Sequence, residues 1–126
     1  MAKEIATSKA PAAVGPYSQA LEVGQFVFAS GQIPLDPATQ TIKGETAAEQ
    51  AEQVFTNIEA VLAEAGLSMS NVIKSTVFLT DLNDFGAVNE VYAKHFVKPY
   101  PARSCVEVSA LPKGAKVECE VIAAKE

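Results

Sequence analysis

An α+β sandwich, with one mixed sheet and two helices on a single face, is the architecture this sequence predicts, and three observations carry it. The apolar pattern runs β-β-helix-β-helix-β-β over 126 residues, without internal repeats, linkers or low-complexity stretches. With 48% hydrophobic residues, the chain is long enough to bury one core and too short for two ordinary domains, so one domain over 1–126 is expected. Several of the predicted strands are apolar on both faces, which leaves the helix-free sheet face in need of a cover. Another copy of the same sheet supplies it, and a homo-oligomer is the expectation.

Each element has its own signal. Gly15-Pro16 breaks the chain, 17–23 reads as extended, and Gly24-Gln25 turns it into a strand over 26–30 that Gly31 ends. Two prolines and an aspartate make 34–44 a surface loop. The spacing of Ala51, Val54, Phe55, Ile58, Val61, Leu62 and Ala65 predicts a helix over 46–65, with Thr46 and Glu49 as a capping box and Gly66 as the stop. Its polar residues Glu52, Gln53, Glu59 and Glu64 read as a solvated face. The β-branched run 71–80 predicts a central strand, with Ile73, Val77 and Leu79 on one face and Lys74, Thr76 and Phe78 on the other. A second helix follows over 84–96, its stripe made of Phe85, Val88, Tyr92 and Phe96. Pro99 and Pro101 interrupt pairing before strands over 103–108 and 116–124, which the turn 111–114 joins.

Composition excludes several functions. A net charge of −5 with no basic run is a poor match for nucleic acid or an anionic membrane. No apolar segment approaches the roughly 18 residues of a membrane helix, and the start MAKEIATSKAPAA carries no signal-like stretch. A cytoplasmic protein, unprocessed apart from loss of Met1, is expected. Cys105 and Cys119 form no spaced disulfide framework and are expected to be reduced thiols. The single histidine, His95, lies in the second helix and reads as a surface or packing residue, which argues against a Ser-His-Asp arrangement. One histidine and two cysteines lack zinc spacing, and phosphate-binding and dinucleotide glycine motifs are absent. Neither a metal nor a nucleotide cofactor is therefore expected.

A small set of polar residues remains. Alternation puts Arg103, Cys105 and Glu107 on one face of their strand, and Glu118 with Glu120 on one face of the last. If those strands are neighbours, an arginine and a carboxylate line one pocket. That pair has two readings: a structural ion pair at a sheet edge, or a carboxylate-binding fork with a water-positioning acid. Asn89 falls on the Phe85-Tyr92-Phe96 side of its helix and needs a hydrogen-bond partner there. Ser30-Gly31-Gln32 reads equally as a strand-ending turn or as backbone open to a ligand, and Tyr17 reads as a core aromatic with its hydroxyl at the surface.

Tyr17, Ser30, Gly31, Asn89, Arg103, Cys105 and Glu118 stand in four segments, GPYSQA (15–20), ASGQIP (29–34), VIKSTVFLTDLNDFGAVNEVY (72–92) and PARSCVEVSALPKGAKVE (101–118). In this order and spacing they resemble the reactive intermediate deaminase A family (RidA, YjgF-type) over nearly the whole chain. The resemblance implies a chorismate-mutase-like fold, a homotrimer with intersubunit clefts, and hydrolysis of 2-iminobutanoate and 2-iminopropanoate to 2-oxo acids. It also implies roles: Arg103 for the substrate carboxylate, Glu118 for the attacking water, Cys105 lining the pocket largely through its backbone, and Tyr17, Ser30, Gly31 and Asn89 shaping the site. Some of these residues are expected from the adjacent subunit. Such chemistry needs only an anchored acid and a placed water, because an iminium carbon is already electrophilic. A thiolate attack by Cys105, favoured by a nearby Arg103, is the lesser route, since no histidine base accompanies it. Cys119 stands where relatives commonly carry a branched aliphatic residue, and the stretch KPYP is shorter than in some members. Two other functions compete: a regulatory module that binds a small carboxylate without turnover, and an RNA-directed translation inhibitor, which the acidic balance opposes.

Overall fold

The computed structural model describes residues 1–126. Its elements are β1 (Lys3–Ile5), β2 (Ala20–Val23), β3 (Phe26–Gln32), α1 (Ala47–Glu64), β4 (Val72–Leu79), α2 (Phe85–His95), β5 (Ala102–Glu107) and β6 (Val117–Ala124). The strands form one sheet in the order β1-β2-β3-β6-β4-β5. Every neighbouring pair is antiparallel except β4 and β5, which run parallel with α2 as their crossover. The expected mixed sheet is present, with one strand more than the periodicity shows. β1 is three residues long, too short for an alternation signal, and exists by pairing with β2.

Both helices lie on one face. Val27, Val77, Leu79, Val117, Cys119, Val121 and Ala123 point toward them and join Val54, Phe55, Ile58, Val61, Leu62, Val88 and Tyr92 in a single core. α1 begins as its capping box predicts: the Glu49 amide donates to Thr46 Oγ1 at 3.1 Å, and the Thr46 amide donates to Glu49 Oε1 at 3.1 Å. It ends before Gly66, whose φ of +77° is open to glycine without strain.

Four readings are corrected. Gln53 is not on a solvated face: it is buried and donates to Asn57 Oδ1, while Asn57 Nδ2 donates to the Leu35 carbonyl and tacks the 34–44 loop onto the helix. Ile73 is 46% exposed and Val72 is buried instead, because the register with β6 shifts between Val72 and Lys74 and reverses the alternation at the start of β4. Gly31 does not end its strand; β3 continues to Gln32 through a register shift against β6. In α2, Phe85 stays partly exposed and Val91 takes its place in the core.

The opposite sheet face carries no helix. Leu21, Val23, Phe26, Phe28 and Val106 are exposed there, with Phe78, Glu118 and Ile122 among them by register. No helix of the chain is long and apolar enough to cross a membrane.

Candidate functional site

β5 and β6 are not neighbours, because β4 lies between them. This overturns the single-pocket picture of Arg103 and Glu118. In register Arg103 sits opposite buried Ser75, whereas Glu118 sits opposite Phe78, so the two side chains leave opposite faces of the sheet. The expected site residues sort into two half-sites within one chain.

The first half-site lies on the helix side, at the β5 edge. Arg103 Nη1 donates to Asn89 Oδ1 at 2.7 Å, and its guanidinium carbon stands 4.7 Å from the Tyr92 ring centroid and 5.3 Å from that of Phe85. Phe85, Asn89 and Tyr92 are spaced four and three along α2, which brings them to one helical face. A hollow of about 400 Å³ opens here, lined by Asn89, Tyr92, Ala93, Tyr100, Pro101 and Arg103. Asn89 therefore finds its hydrogen-bond partner in Arg103. Cys105 follows on the same face, opposite Val77 and packed against the core, but it lines neither hollow. Burial pushes its thiol pKa up against the opposing pull of Arg103, so the expected thiolate stabilisation by that arginine is outweighed.

The second half-site lies on the bare face. Glu118 shares a hollow of about 340 Å³ with Tyr17, Gly31, Ile33 and Lys113. Burial, and after it the charge of Glu120, raises the Glu118 carboxyl above its ordinary pKa. The carboxyl lies directly on the Gly31 backbone. A β-carbon at Gly31 would sit 2.9 Å from Glu118 Cδ and 3.2 Å from Cγ, so any side chain there would displace the carboxyl from its position. Ser30 ties the preceding segment to β3: its Oγ donates to the Ser18 carbonyl at 2.6 Å, and its amide donates to the Gln19 carbonyl at 2.9 Å. Tyr17 is half exposed and borders both the Glu118 hollow and the shallow pocket around Phe28 and Ser30.

His95 lines neither hollow and is a packing residue. Its ring nitrogens meet Glu52 Oε1 at 2.6 Å and Glu59 Oε2 at 3.1 Å, bridging α2 to α1, so those glutamates are partnered rather than freely solvated. Both cysteines are free, and burial drives the Cys119 thiol pKa far up. Sequence reasoning missed Phe85 and Tyr92 as the rings against Arg103, and Tyr100 and Lys113 as lining residues. Helical spacing with Asn89 was signal enough for the first two; the others are brought in by loops whose path no periodicity encodes.

Half-sites built on these motifs define a chain of the endoribonuclease L-PSP family, the RidA/YjgF family, whose model matches residues 7–125, and the protein belongs to it. The chorismate-mutase-like α+β class holds with it. Among individual relatives, a RutC family protein of Sinorhizobium fredii is 54% identical over 97% of both chains. The 2-iminobutanoate/2-iminopropanoate deaminase of Salmonella typhimurium is 48% identical over 99% of both. The solved RidA of an Antarctic Psychrobacter superposes with a TM-score of 0.94 at 50% identity, covering 98% of this chain and 99% of its own. Relatives named as the deaminase and relatives named only by family thus stand at similar distance.

Proposed function

We propose that this chain is a 2-iminobutanoate/2-iminopropanoate deaminase acting as a homotrimer, with each active site assembled from two copies. The observation that supports this reading is the division of one chain into an arginine half-site at a sheet edge and a carboxyl half-site on a bare apolar face. A second copy laid on that face covers Leu21, Phe28 and Val106 and brings an arginine edge toward a Glu118 hollow.

In the joined cleft, Arg103 receives the substrate carboxylate with the donors that Asn89 leaves free. Glu118 accepts a proton from water as the oxygen attacks the imine carbon, and the C=N bond becomes a C–N single bond. The carboxyl then returns that proton to the nitrogen of the carbinolamine, and as the C–N bond breaks and ammonia leaves, the regenerated carboxylate takes the hydroxyl proton and the C–O bond becomes the C=O of the 2-oxo acid. A carboxyl held above its ordinary pKa suits both halves of this exchange. Tyr17 and Gly31 set the wall against which the water sits, and Ser30 holds the segment before β3 in place beside it. Cys105, with its thiol pKa raised, contributes backbone and bulk rather than a nucleophile. The net charge of −5 disfavours the RNA-directed reading that the family description carries.

The test is 2-oxobutanoate release in an assay coupled to threonine dehydratase. Wild-type protein accelerates it over buffer, and Arg103→Ala abolishes the acceleration; full activity in that variant defeats the assignment. Mixing Arg103→Ala with Glu118→Gln chains and refolding them together restores roughly a quarter of the sites if the cleft is shared, and none if each copy works alone. Calorimetric binding of 2-oxobutanoate without any turnover selects the regulatory module instead.

A further inference from the structure

Arg103 belongs to a stack that runs from the core to the rim of its hollow. Phe96 and Tyr92 are stacked, with ring centroids 4.0 Å apart and planes 20° from parallel, and the Arg103 guanidinium stands 4.7 Å beyond the Tyr92 centroid. The Tyr92 ring is fixed on its other sides as well. It meets Phe55 edge-on at 5.6 Å, and its hydroxyl is 2.7 Å from that of Ser75, which is fully buried. Ser75 and Arg103 are register partners across β4 and β5, so one strand pair supports the tyrosine at its hydroxyl and loads its face with the guanidinium.

We propose that Tyr92, held by the Ser75 hydroxyl, is a positioning residue for Arg103: its ring sets the plane in which the guanidinium meets the substrate carboxylate. This rests on the carboxylate-anchoring role of Arg103 and adds what makes that role efficient. A free arginine side chain gives up much rotamer freedom on binding, and one already held by a ring face and by Asn89 gives up less. A carboxylate takes two parallel hydrogen bonds only from a fork whose plane is already set. In its contacts with Phe55 and Phe96, Tyr92 is an ordinary core aromatic; the guanidinium over its ring and the wall it gives the Arg103 hollow are what core packing does not require.

The experiment measures calorimetric dissociation constants for 2-oxobutanoate, together with KM and kcat, and follows folding by circular dichroism. Tyr92→Leu, which keeps bulk and removes the ring, should weaken 2-oxobutanoate and raise KM by about tenfold while kcat stays within about threefold. In an Arg103→Lys background, where no planar fork remains, the same change should add less than about twofold; a full tenfold effect there marks a purely structural residue and overturns the proposal. Ser75→Ala strands the buried Tyr92 hydroxyl and should weaken binding by about threefold, and adding Tyr92→Phe should recover it. These two variants decide the matter if Tyr92→Leu does not fold: unchanged binding in Ser75→Ala, or no recovery in the pair, overturns the proposal. If Arg103→Ala binds 2-oxobutanoate as wild type does, the anchoring role fails and the platform with it. If Arg103→Ala loses binding while Tyr92→Leu keeps it, the platform alone fails.

Discussion

The two faces of the sheet are cut from the same strands and have opposite fates. On the covered face, Val77, Leu79, Val117, Val121 and Ala123 are buried under helices that the same chain supplies. On the bare face, Phe26, Phe28 and Val106 remain exposed at 37%, 45% and 42%. Alternation alone assigns residues to faces, but a half-buried apolar face is a liability unless something covers it. The first face is closed by local folding and serves stability. The second, which holds Glu118 and Gly31, is not covered by the chain's own helices, and the chemistry proposed above depends on a second copy covering it.

Substitutions that treat the faces differently sharpen that contrast. Val121→Asp puts an unpaired charge in the core, with an expected cost of roughly 3–5 kcal/mol, and should leave little folded protein by circular dichroism. Phe28→Asp on the bare face should leave the helical signal intact, reduce the particle mass by light scattering to that of one chain, and reduce deaminase activity at least about a hundredfold. A folded, still oligomeric and active Phe28→Asp protein would remove the bare face from the mechanism.

Smaller changes probe the carboxyl half-site. Gly31→Ala forces Glu118 off its seat and should lower kcat by about tenfold to a hundredfold with the melting temperature nearly unchanged. The pH profile has a defined sign. In the proposed mechanism Glu118 acts as carboxylate, and its pKa is raised, so kcat/KM should hold on the alkaline side and fall as pH drops through that raised value, before the ordinary carboxylate range is reached. Glu118→Gln should lose both the activity and this acid limb. The smallest effect is expected on the covered face: Cys105→Ser should keep activity within about threefold, since its thiol pKa is raised and it lines neither hollow. A loss of activity as deep as that of Arg103→Ala would instead reinstate covalent attack by the thiol.

Much of the fold was legible because its signals are local. Thr46 with Glu49, the three-and-four spacing of α1, and the alternation of β6 each involve residues within a few positions of one another. Readings failed where a contact from elsewhere decides. The β4 bulge reversed Val72 and Ile73, Asn57 drew Gln53 inward, and pairing with β2 made a strand of Lys3–Ile5. The candidate site followed the same division. Motif resemblance singled out Arg103, Glu118, Gly31 and Asn89, and helical spacing aligned Asn89 with Phe85 and Tyr92. Nothing in the linear pattern showed that β4 would come between β5 and β6.

What the sequence determined by itself is therefore the class of every element except β1, the face taken by strand residues outside the bulges, and the family to which the chain belongs, because those follow from side-chain periodicity and from motifs a few residues long. Only the tertiary structure decided the strand order, and with it the separation of Arg103 from Glu118 onto opposite faces. Strand order is set by which edges meet in the packed fold. That is a contest among contacts distant in the chain, on which local patterning is silent.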